Sequence, residues 1–182
     1  MISILYVDDE NTLLEITKLY MERTGEFTVD TCTSAKDAIE KIGAGSYDAI
    51  VSDYQMPEMD GIEFLQHLRR NSSTLPFILF TGRGREEVAI SALNSGADFY
   101  LQKGGEPKSQ FAELQNKIEQ AVKRRRAESA LQESEEKYRG IFDHAPVGIF
   151  HSTPEGNLID VNPVFALMFG YGSPEEMIEA VN

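Results

Sequence analysis

Short apolar segments alternate with amphipathic segments through residues 1–106, and this alternation restricts the fold of the chain more than any other feature. The five apolar segments are residues 2–7, 27–32, 49–52, 77–80 and 99–101. They are rich in β-branched or aromatic side chains, which is typical of buried parallel strands. The segments between them carry apolar residues at helical spacing. This strict β–α alternation predicts an α/β fold with a doubly wound parallel sheet of five strands.

The intervening segments also carry signals for where helices begin and end. Asn11 is expected to cap the first helix, and Ser34 followed by Asp37 resembles a capping box for the second. Gly43 is expected to end that second helix. The predicted inner face of the first helix consists of Leu13, Leu14, Ile16 and Leu19.

Polar residues follow four of the five predicted strands. They are Asp8, Asp9 and Glu10 after the first, Asp53 after the third, Thr81 at the end of the fourth and Lys103 after the fifth. Ligands of doubly wound sheets bind outside the carboxyl ends of the strands. Clustered carboxylates without histidine or cysteine suit a hard cation, so this edge is predicted to bind Mg²⁺ or Mn²⁺. Because no glycine-rich phosphate-binding loop follows any strand, a nucleotide site is disfavoured.

Residues 1–106 resemble the receiver domain of two-component response regulators over essentially their whole length. Four motifs carry the resemblance in the family's order and spacing: VDDE at 7–10, SDYQMPEMDG at 52–61, FTG at 80–82 and YLQKG at 100–104. The resemblance implies a flavodoxin-like sheet with strand order 2-1-3-4-5. One departure is Gly104, where the family usually has proline, and this change removes no chemical group.

The resemblance also implies a phosphoacceptor function in a two-component phosphorelay. Asp53 would receive the phosphoryl group from a phosphohistidine, with Thr81 and Lys103 contacting it. Thr81 and Tyr100 would form the switch that responds to phosphorylation. The implied partner is a histidine kinase or a phosphotransfer protein.

The metal ligands implied by the resemblance are the carboxylates of Asp8, Asp9 and Asp53 and the backbone carbonyl of Gln55. The ion would be Mg²⁺ or Mn²⁺. Gln55 and Arg83 flank the site, at positions that tune in this family how quickly the phosphoryl group is lost.

Two other functions fit part of this pattern. A Mg²⁺-dependent phosphohydrolase with an aspartate nucleophile needs the motif D-x-D, and Asp53-Tyr54-Gln55 lacks the second carboxylate. An interaction module that works without phosphorylation would not need the complete set of reactive groups. No independent enzyme activity is expected from this chain beyond its own phosphorylation and dephosphorylation.

Residues 107–137 are predicted to form a helical linker that extends the fifth helix. The segment has no Gly or Pro after Pro107, and the basic run at 123–126 is expected on a solvated face. A first apolar face, for covering the sheet, consists of Phe111, Leu114, Ile118 and Val122. A second stripe has heptad spacing and consists of Ala127, Leu131, Ser134, Tyr138 and Ile141. This stripe predicts a parallel coiled-coil homodimer through the 107–142 helix, the alternative being a single helix that packs on its neighbours.

Residues 138–182 resemble the opening of a PAS domain, a partial α+β segment. The matching stretches are KYRGIFDHAPVGIF, PEGNLIDVNPVFALMFGY and SPEEMI. Two strands are predicted, at 147–152 and 158–161, and two helices capped by Asn162 and Ser173, each followed by proline. We expect the natural protein to continue through the rest of this domain, and the parent to be a multidomain histidine kinase or response regulator.

Charge and cysteine content restrict the class of partner and the compartment. The net charge of −13 disfavours binding to nucleic acid or to an anionic membrane surface. Cys32 is the one cysteine, so no internal disulfide can form, which fits a reducing compartment. Neither a signal peptide nor a long apolar segment is evident, and a cytoplasmic protein is expected.

Overall fold

The computed structural model describes residues 1–82 and 86–182, and Arg83 therefore lies outside the described residues. The chain divides into two compact units, Met1–Arg126 and Ala127–Asn182. No helix among the described residues combines the length and the apolar composition that crossing a membrane requires.

The first unit contains one parallel sheet flanked by helices. Its strands are β1 (Ile2–Val7), β2 (Phe27–Cys32), β3 (Ala49–Ser52), β4 (Phe77–Thr81) and β5 (Phe99–Gln102). Its helices are α1 (Asn11–Glu22), α2 (Ala35–Ala44), α3 (Gly61–Arg70), α4 (Glu86–Asn94) and the first part of α5 (Pro107–His144). The strand order is β2-β1-β3-β4-β5 and every neighbouring pair is parallel, which confirms the predicted fold.

Both faces of the inner strands β1, β3 and β4 are buried, because alternate side chains of each of them enter different apolar clusters. In β1, Ile4 and Tyr6 belong to the cluster under α1 and α5, whereas Leu5 and Val7 belong to the cluster under α2, α3 and α4. Burial on both faces explains why these strands are apolar at nearly every position. The predicted covering face of α5 is buried in the first cluster, as the sequence indicated: Phe111, Leu114, Ile118 and Val122.

The predicted inner face of α1 is wrong in part. Leu19 is 72% exposed and Ile16 is exposed, whereas Leu14, Thr17 and Met21 are buried. These three residues share one face of the helix, and the polar Thr17 hid that face from a pattern search for apolar residues. Asn11 is also not the cap, since Glu10 occupies that position without a side-chain bond to the backbone.

The ends of the next two helices follow the rules of helix capping. The Ser34 hydroxyl accepts a hydrogen bond from the Asp37 amide at 3.1 Å, as predicted. Helix α2 continues past Gly43 to Ala44, with Gly45 at its C-cap, so the predicted end was too early. Helix α3 begins with a capping box formed by Asp60 and Glu63, which the sequence analysis missed.

Three consecutive arginines attach α5 to the amino ends of three strands. Arg124 bonds to Asp98 before β5, Arg125 to the Thr74 hydroxyl before β4 at 2.5 Å, and Arg126 to Asp48 before β3 at 2.8 Å. The expected solvated basic face is present, since Lys123, Arg124 and Arg126 are exposed. The sequence analysis did not predict that the arginines also have partners far away in sequence. Residues 124–126 thus hold the helix against the sheet edge opposite to the predicted site.

The second unit has a small antiparallel sheet and two short helices. Strands β6 (Phe150–Ser152) and β7 (Leu158–Val161) pair, and α6 (Pro163–Met168) and α7 (Pro174–Val181) follow. Strand β6 begins later than predicted. Asn162 and Ser173 cap the two helices as predicted, accepting bonds from the amides of Phe165 and Glu176.

Asn162 is the buried polar centre of the second unit. Its side-chain amide donates to the carbonyls of Phe142 and Val147 at 3.0 and 2.9 Å. Its side-chain oxygen accepts from the amides of Ile149 and Phe165, both at 2.9 Å. One side chain thereby connects the end of α5, the start of β6 and the first turn of α6, and its hydrogen bonds offset the cost of complete burial.

Asp48 connects the starts of β1 and β3 to α5, and we expect this contact to stabilise the first unit. Burial acts to raise the pKa of the Asp48 carboxyl, but the bonds from the Ser3 amide and Arg126 outweigh burial and lower that pKa. The contribution of the charge is therefore complete above the usual carboxyl pKa and is lost as the pH falls through the lowered pKa. Asp48→Asn should reduce the free energy of unfolding by about 1 kcal/mol at neutral pH.

Urea unfolding at about pH 7 and about pH 3 checks this pH dependence. The difference between wild type and Asp48→Asn should shrink at the lower pH. Glu15→Gln, at an exposed carboxylate of α1, serves as the control and should change the stability little at either pH. An equal loss of stability at both pH values would contradict the electrostatic origin of the effect.

Candidate functional site

The carboxyl ends of β1, β3, β4 and β5 bring the predicted polar residues to one edge of the sheet. Backbone bonds continue the sheet beyond the strand ends, from the Asp53 amide to the Val7 carbonyl and from the Lys103 amide to the Thr81 carbonyl, both at 2.8 Å. Asp8, Asp53 and Thr81 are all buried at this edge. The side chains of several sequence-distant segments therefore start from fixed backbone positions.

Lys103 bridges two of the carboxylates. Its ammonium nitrogen lies 2.6 Å from Oδ2 of Asp8 and 2.7 Å from Oδ1 of Asp53. The side chains of all three residues are at most 14% exposed, so water screens their charges only weakly. One positive charge faces two negative ones, and the pair of carboxylates keeps an excess of negative charge.

Asp53 is held from two sides. Its Oδ2 accepts a hydrogen bond of 2.6 Å from the Gln55 amide, while its Oδ1 meets Lys103. Burial raises the pKa of Asp53 above its usual value, the charge of Asp8 acts in the same direction, and the bonds from Lys103 and Gln55 act against them. The charged form of Asp53 is therefore costly here, and added positive charge at this edge would stabilise it.

Gly61 allows α3 to start directly behind Asp53. A Cβ atom at this position would lie 2.3 Å from the Asp53 carbonyl oxygen and 2.7 Å from Leu79 Cδ1, closer than any side chain can come. The Gly61 amide instead donates to the Tyr54 carbonyl at 2.9 Å. The glycine that ends the motif SDYQMPEMDG is thus a steric requirement of the loop that carries Asp53.

Tyr6 is a site residue that the sequence analysis missed. Its hydroxyl donates to Oδ2 of Asp8 at 2.7 Å, and the Glu10 amide donates to Oδ1 at 3.0 Å. Burial and the neighbouring charge of Asp8 raise the pKa of Tyr6 far above its usual range, so this hydroxyl remains a donor. The signal that could have identified Tyr6 is its position two residues before Asp8, because side chains two apart along a strand lie on the same side of it.

Tyr100 has a hydroxyl that is buried without a hydrogen-bond partner among the described residues. The rest of its side chain is partly buried against the cluster beneath α3 and α4, and burial raises its pKa. Thr81 ends the neighbouring strand β4 and is 1% exposed. The two residues predicted to act as a switch therefore lie on adjacent strands, with Thr81 at the site edge.

The proposed metal ligands are all oxygen donors, which suits Mg²⁺ or Mn²⁺ by type. Asp9 is exposed and lines a shallow groove with Gln55 and Asp60, whereas Asp8 and Asp53 lie deeper at Lys103. Among residues 1–82 and 86–182, no three His, Cys, Asp or Glu side chains are grouped closely enough to hold a metal ion. Metal ligation by these residues consequently stays a prediction.

Two protein families match different parts of the chain. The response regulator receiver domain matches residues 4–119, and a PAS domain matches residues 136–182. The receiver match includes the first turns of α5, which cover the sheet. The PAS match begins within the later part of the same helix.

Curated relatives are response regulators. Response regulator Rre1 of Synechocystis is 33% identical over 169 residues, which is 89% of this chain and 73% of the relative. Response regulator SaeR of Staphylococcus aureus is 34% identical over 116 residues, or 64% of this chain. The match covers 50% of SaeR, so the chain corresponds to about half of that protein.

Solved structures of receiver domains share the fold of the first unit. The Francisella response regulator 1452 receiver domain is 30% identical with a TM-score of 0.62, covering 68% of this chain and 98% of that one. A receiver domain protein from Clostridium thermocellum is 28% identical with a TM-score of 0.61, covering 70% and 98%. The sheet order, the matched residues and these relatives agree, and the chain therefore belongs to the response regulator receiver domain family.

Proposed function

We propose that Asp53 is the phosphoacceptor and that its donor is the phosphohistidine of a histidine kinase or phosphotransfer protein. The observation that carries this proposal is the buried contact of Asp53 with Lys103 and Asp8. A carboxylate oxygen of Asp53 would form the new bond to phosphorus as the phosphorus–nitrogen bond breaks. The electron pair of that broken bond stays on the imidazole of the donor, and Asp53 becomes an acyl phosphate.

Positioning and charge neutralisation must provide the catalysis, because a carboxylate is a poor nucleophile toward an anionic phosphoryl group. The Gln55 amide and Lys103 fix both oxygens of Asp53. Lys103 is also placed to stabilise negative charge on the transferred oxygens. Mg²⁺ or Mn²⁺, held by Asp8, Asp9, Asp53 and the Gln55 carbonyl, would supply the remaining positive charge at this edge.

After transfer, we propose that Thr81 donates a hydrogen bond to the new phosphoryl oxygens and that Tyr100 responds. The acyl phosphate carries about two negative charges, which attract a hydroxyl donor at the end of β4. The Tyr100 hydroxyl has no partner to lose among the described residues, so a change of its rotamer sacrifices no hydrogen bond there. These features support a switch made by Thr81 and Tyr100.

We also propose the division of the chain into a receiver (1–106), a helical linker (107–137) and the amino-terminal part of a PAS domain (138–182). Helix α5 would pass the signal from the receiver to the PAS segment. Cys32 is a buried free thiol, which supports our proposal that the protein works in the reducing cytoplasm.

The helix of residues 107–142 is proposed to form a parallel homodimer through its heptad stripe. Leu131 and Ile141 are 62% and 64% exposed, and Tyr138 is half exposed. In this register Glu128 and Glu135 both take the e position, beside the stripe. An antiparallel pair would bring e positions of the two copies together, so like charges favour the parallel arrangement.

Intact mass tests the phosphoacceptor. Incubation with Mg²⁺ and acetyl phosphate should add one phosphoryl group to the wild type and to Asp30→Asn, and none to Asp53→Asn, because the amide cannot form an acyl phosphate. Omission of Mg²⁺ should abolish the gain in mass of the wild type. A phosphoryl group on Asp53→Asn would contradict the assignment, as would the absence of any gain with both acetyl phosphate and a phosphohistidine donor.

Lys103→Ala should slow phosphorylation on the order of 100-fold, since one donor to the developing charge is removed. Initial rates of mass gain at saturating Mg²⁺ give the comparison. Lys108→Ala, at an exposed lysine early in α5, is the matched control and should retain the wild-type rate. Circular dichroism checks that both variants are folded, and an unchanged rate in folded Lys103→Ala would remove the proposed role.

Leu131→Glu should weaken the proposed dimer by about 100-fold, because it places a charge where the dimer would bury a leucine of each copy. Light scattering over a range of protein concentrations measures the change. Leu19→Glu alters another exposed leucine, which lies on α1 outside the stripe, and should leave the dimer intact. A wild type that remains monomeric throughout this range would refute the dimer.

A further inference from the structure

We propose that Tyr6 is a positioning residue, whose hydroxyl fixes the carboxylate of Asp8 for metal binding. The inference rests on the proposed role of Asp8 as a metal ligand. Tyr6 and Asp8 are each 1% exposed, and the hydroxyl lies 2.7 Å from Oδ2 of Asp8. The bond therefore joins a core side chain of β1 directly to a carboxylate of the site.

The hydrogen bonds of Asp8 distinguish its two oxygens. Oδ2 accepts from the Tyr6 hydroxyl and from the Lys103 ammonium, and Oδ1 accepts from the Glu10 amide. An ionised carboxylate has about four lone pairs, two on each oxygen. Within the described part of the chain, Oδ2 is thus fully engaged, and Oδ1 keeps a lone pair for a cation. Tyr6 and Lys103 together determine which oxygen is left for the metal.

Tyr6 can hold the Asp8 carboxylate in this orientation even when Lys103 moves to another anion. Lys103 has a flexible side chain and is shared with Asp53, so a phosphoryl group on Asp53 offers its ammonium another anionic partner. The Tyr6 ring is enclosed by the core between the sheet and α1 and α5. Its hydroxyl consequently remains at Asp8 while the lysine changes partners.

Thr17 supports Tyr6 from behind. Thr17 is a buried residue of α1. Burial and Asp8 raise the pKa of Tyr6, and the neighbouring Thr17 side chain acts in the opposite direction. The row of Thr17, Tyr6 and Asp8 therefore runs from α1 to the site. It also accounts for a polar residue on the buried face of that helix.

The test is the affinity of the full chain for Mn²⁺, measured by electron paramagnetic resonance without any phosphoryl donor. Hydrogen bonds that orient a metal ligand are worth about 10–100-fold in affinity. Tyr6→Phe should therefore raise the dissociation constant at least about 10-fold, and Thr17→Val by a smaller factor. Phenylalanine preserves the ring in the core, so the variant should fold.

Tyr47→Phe is a matched control, because the Tyr47 hydroxyl also donates to an aspartate, Oδ2 of Asp30, at 2.7 Å. It should leave the affinity for Mn²⁺ unchanged. A second readout is the dependence of the phosphorylation rate on Mg²⁺ concentration. Tyr6→Phe should raise the concentration for half-maximal rate and leave the rate at saturating Mg²⁺ near that of the wild type.

The outcomes separate this inference from the proposed function. If Asp8→Asn abolishes Mn²⁺ binding and Tyr6→Phe lowers only the unfolding midpoint, Asp8 remains a ligand and the positioning role of Tyr6 is overturned. If the wild type does not bind Mn²⁺, the metal site and the positioning role fail together. Weaker binding by Tyr6→Phe beside an unchanged Tyr47→Phe supports the proposal.

Discussion

One ammonium group faces two buried carboxylates at the carboxyl edge of the sheet, and this excess of negative charge is the feature on which the proposed chemistry depends. Lys103 contacts Asp8 and Asp53 where water screens little of their charge. Burial raises the pKa of Asp53, and the charge of Asp8 acts in the same direction. An edge with this excess of negative charge attracts a cation. The transfer that we propose needs positive charge beside the phosphoryl oxygens, which are themselves negative.

The strands were predicted closely, and the faces of the helices less so. Each inner strand of the first unit is a short apolar run buried on both sides, so its position is visible without knowledge of its partners. The face of α1 depends on what lies beneath it. Thr17 is buried beside Tyr6, whereas Leu19 points away from the sheet. No local pattern contains that information.

Sequence reasoning predicted the site in part. The positions after the strand ends, together with the family resemblance, indicated that Asp8, Asp53 and Lys103 would meet, and their side chains do. Tyr6 was missed because its neighbours made it look like one more core residue. The arginine contacts of α5 were also missed, since their partners lie 26 to 78 residues away. The roles of Thr81, Tyr100 and the metal ligands stay predictions.

Strands β3, β4 and β5 are each fixed at both ends. The residues that receive the α5 arginines at the amino ends are Asp48, Thr74 and Asp98, and the site residues at the carboxyl ends are Asp53, Thr81 and Lys103. Side chains alternate along a strand, so one inserted residue would turn one of these ends to the wrong face of the sheet. An inserted or deleted residue should therefore be tolerated far better in the loops than within these three strands.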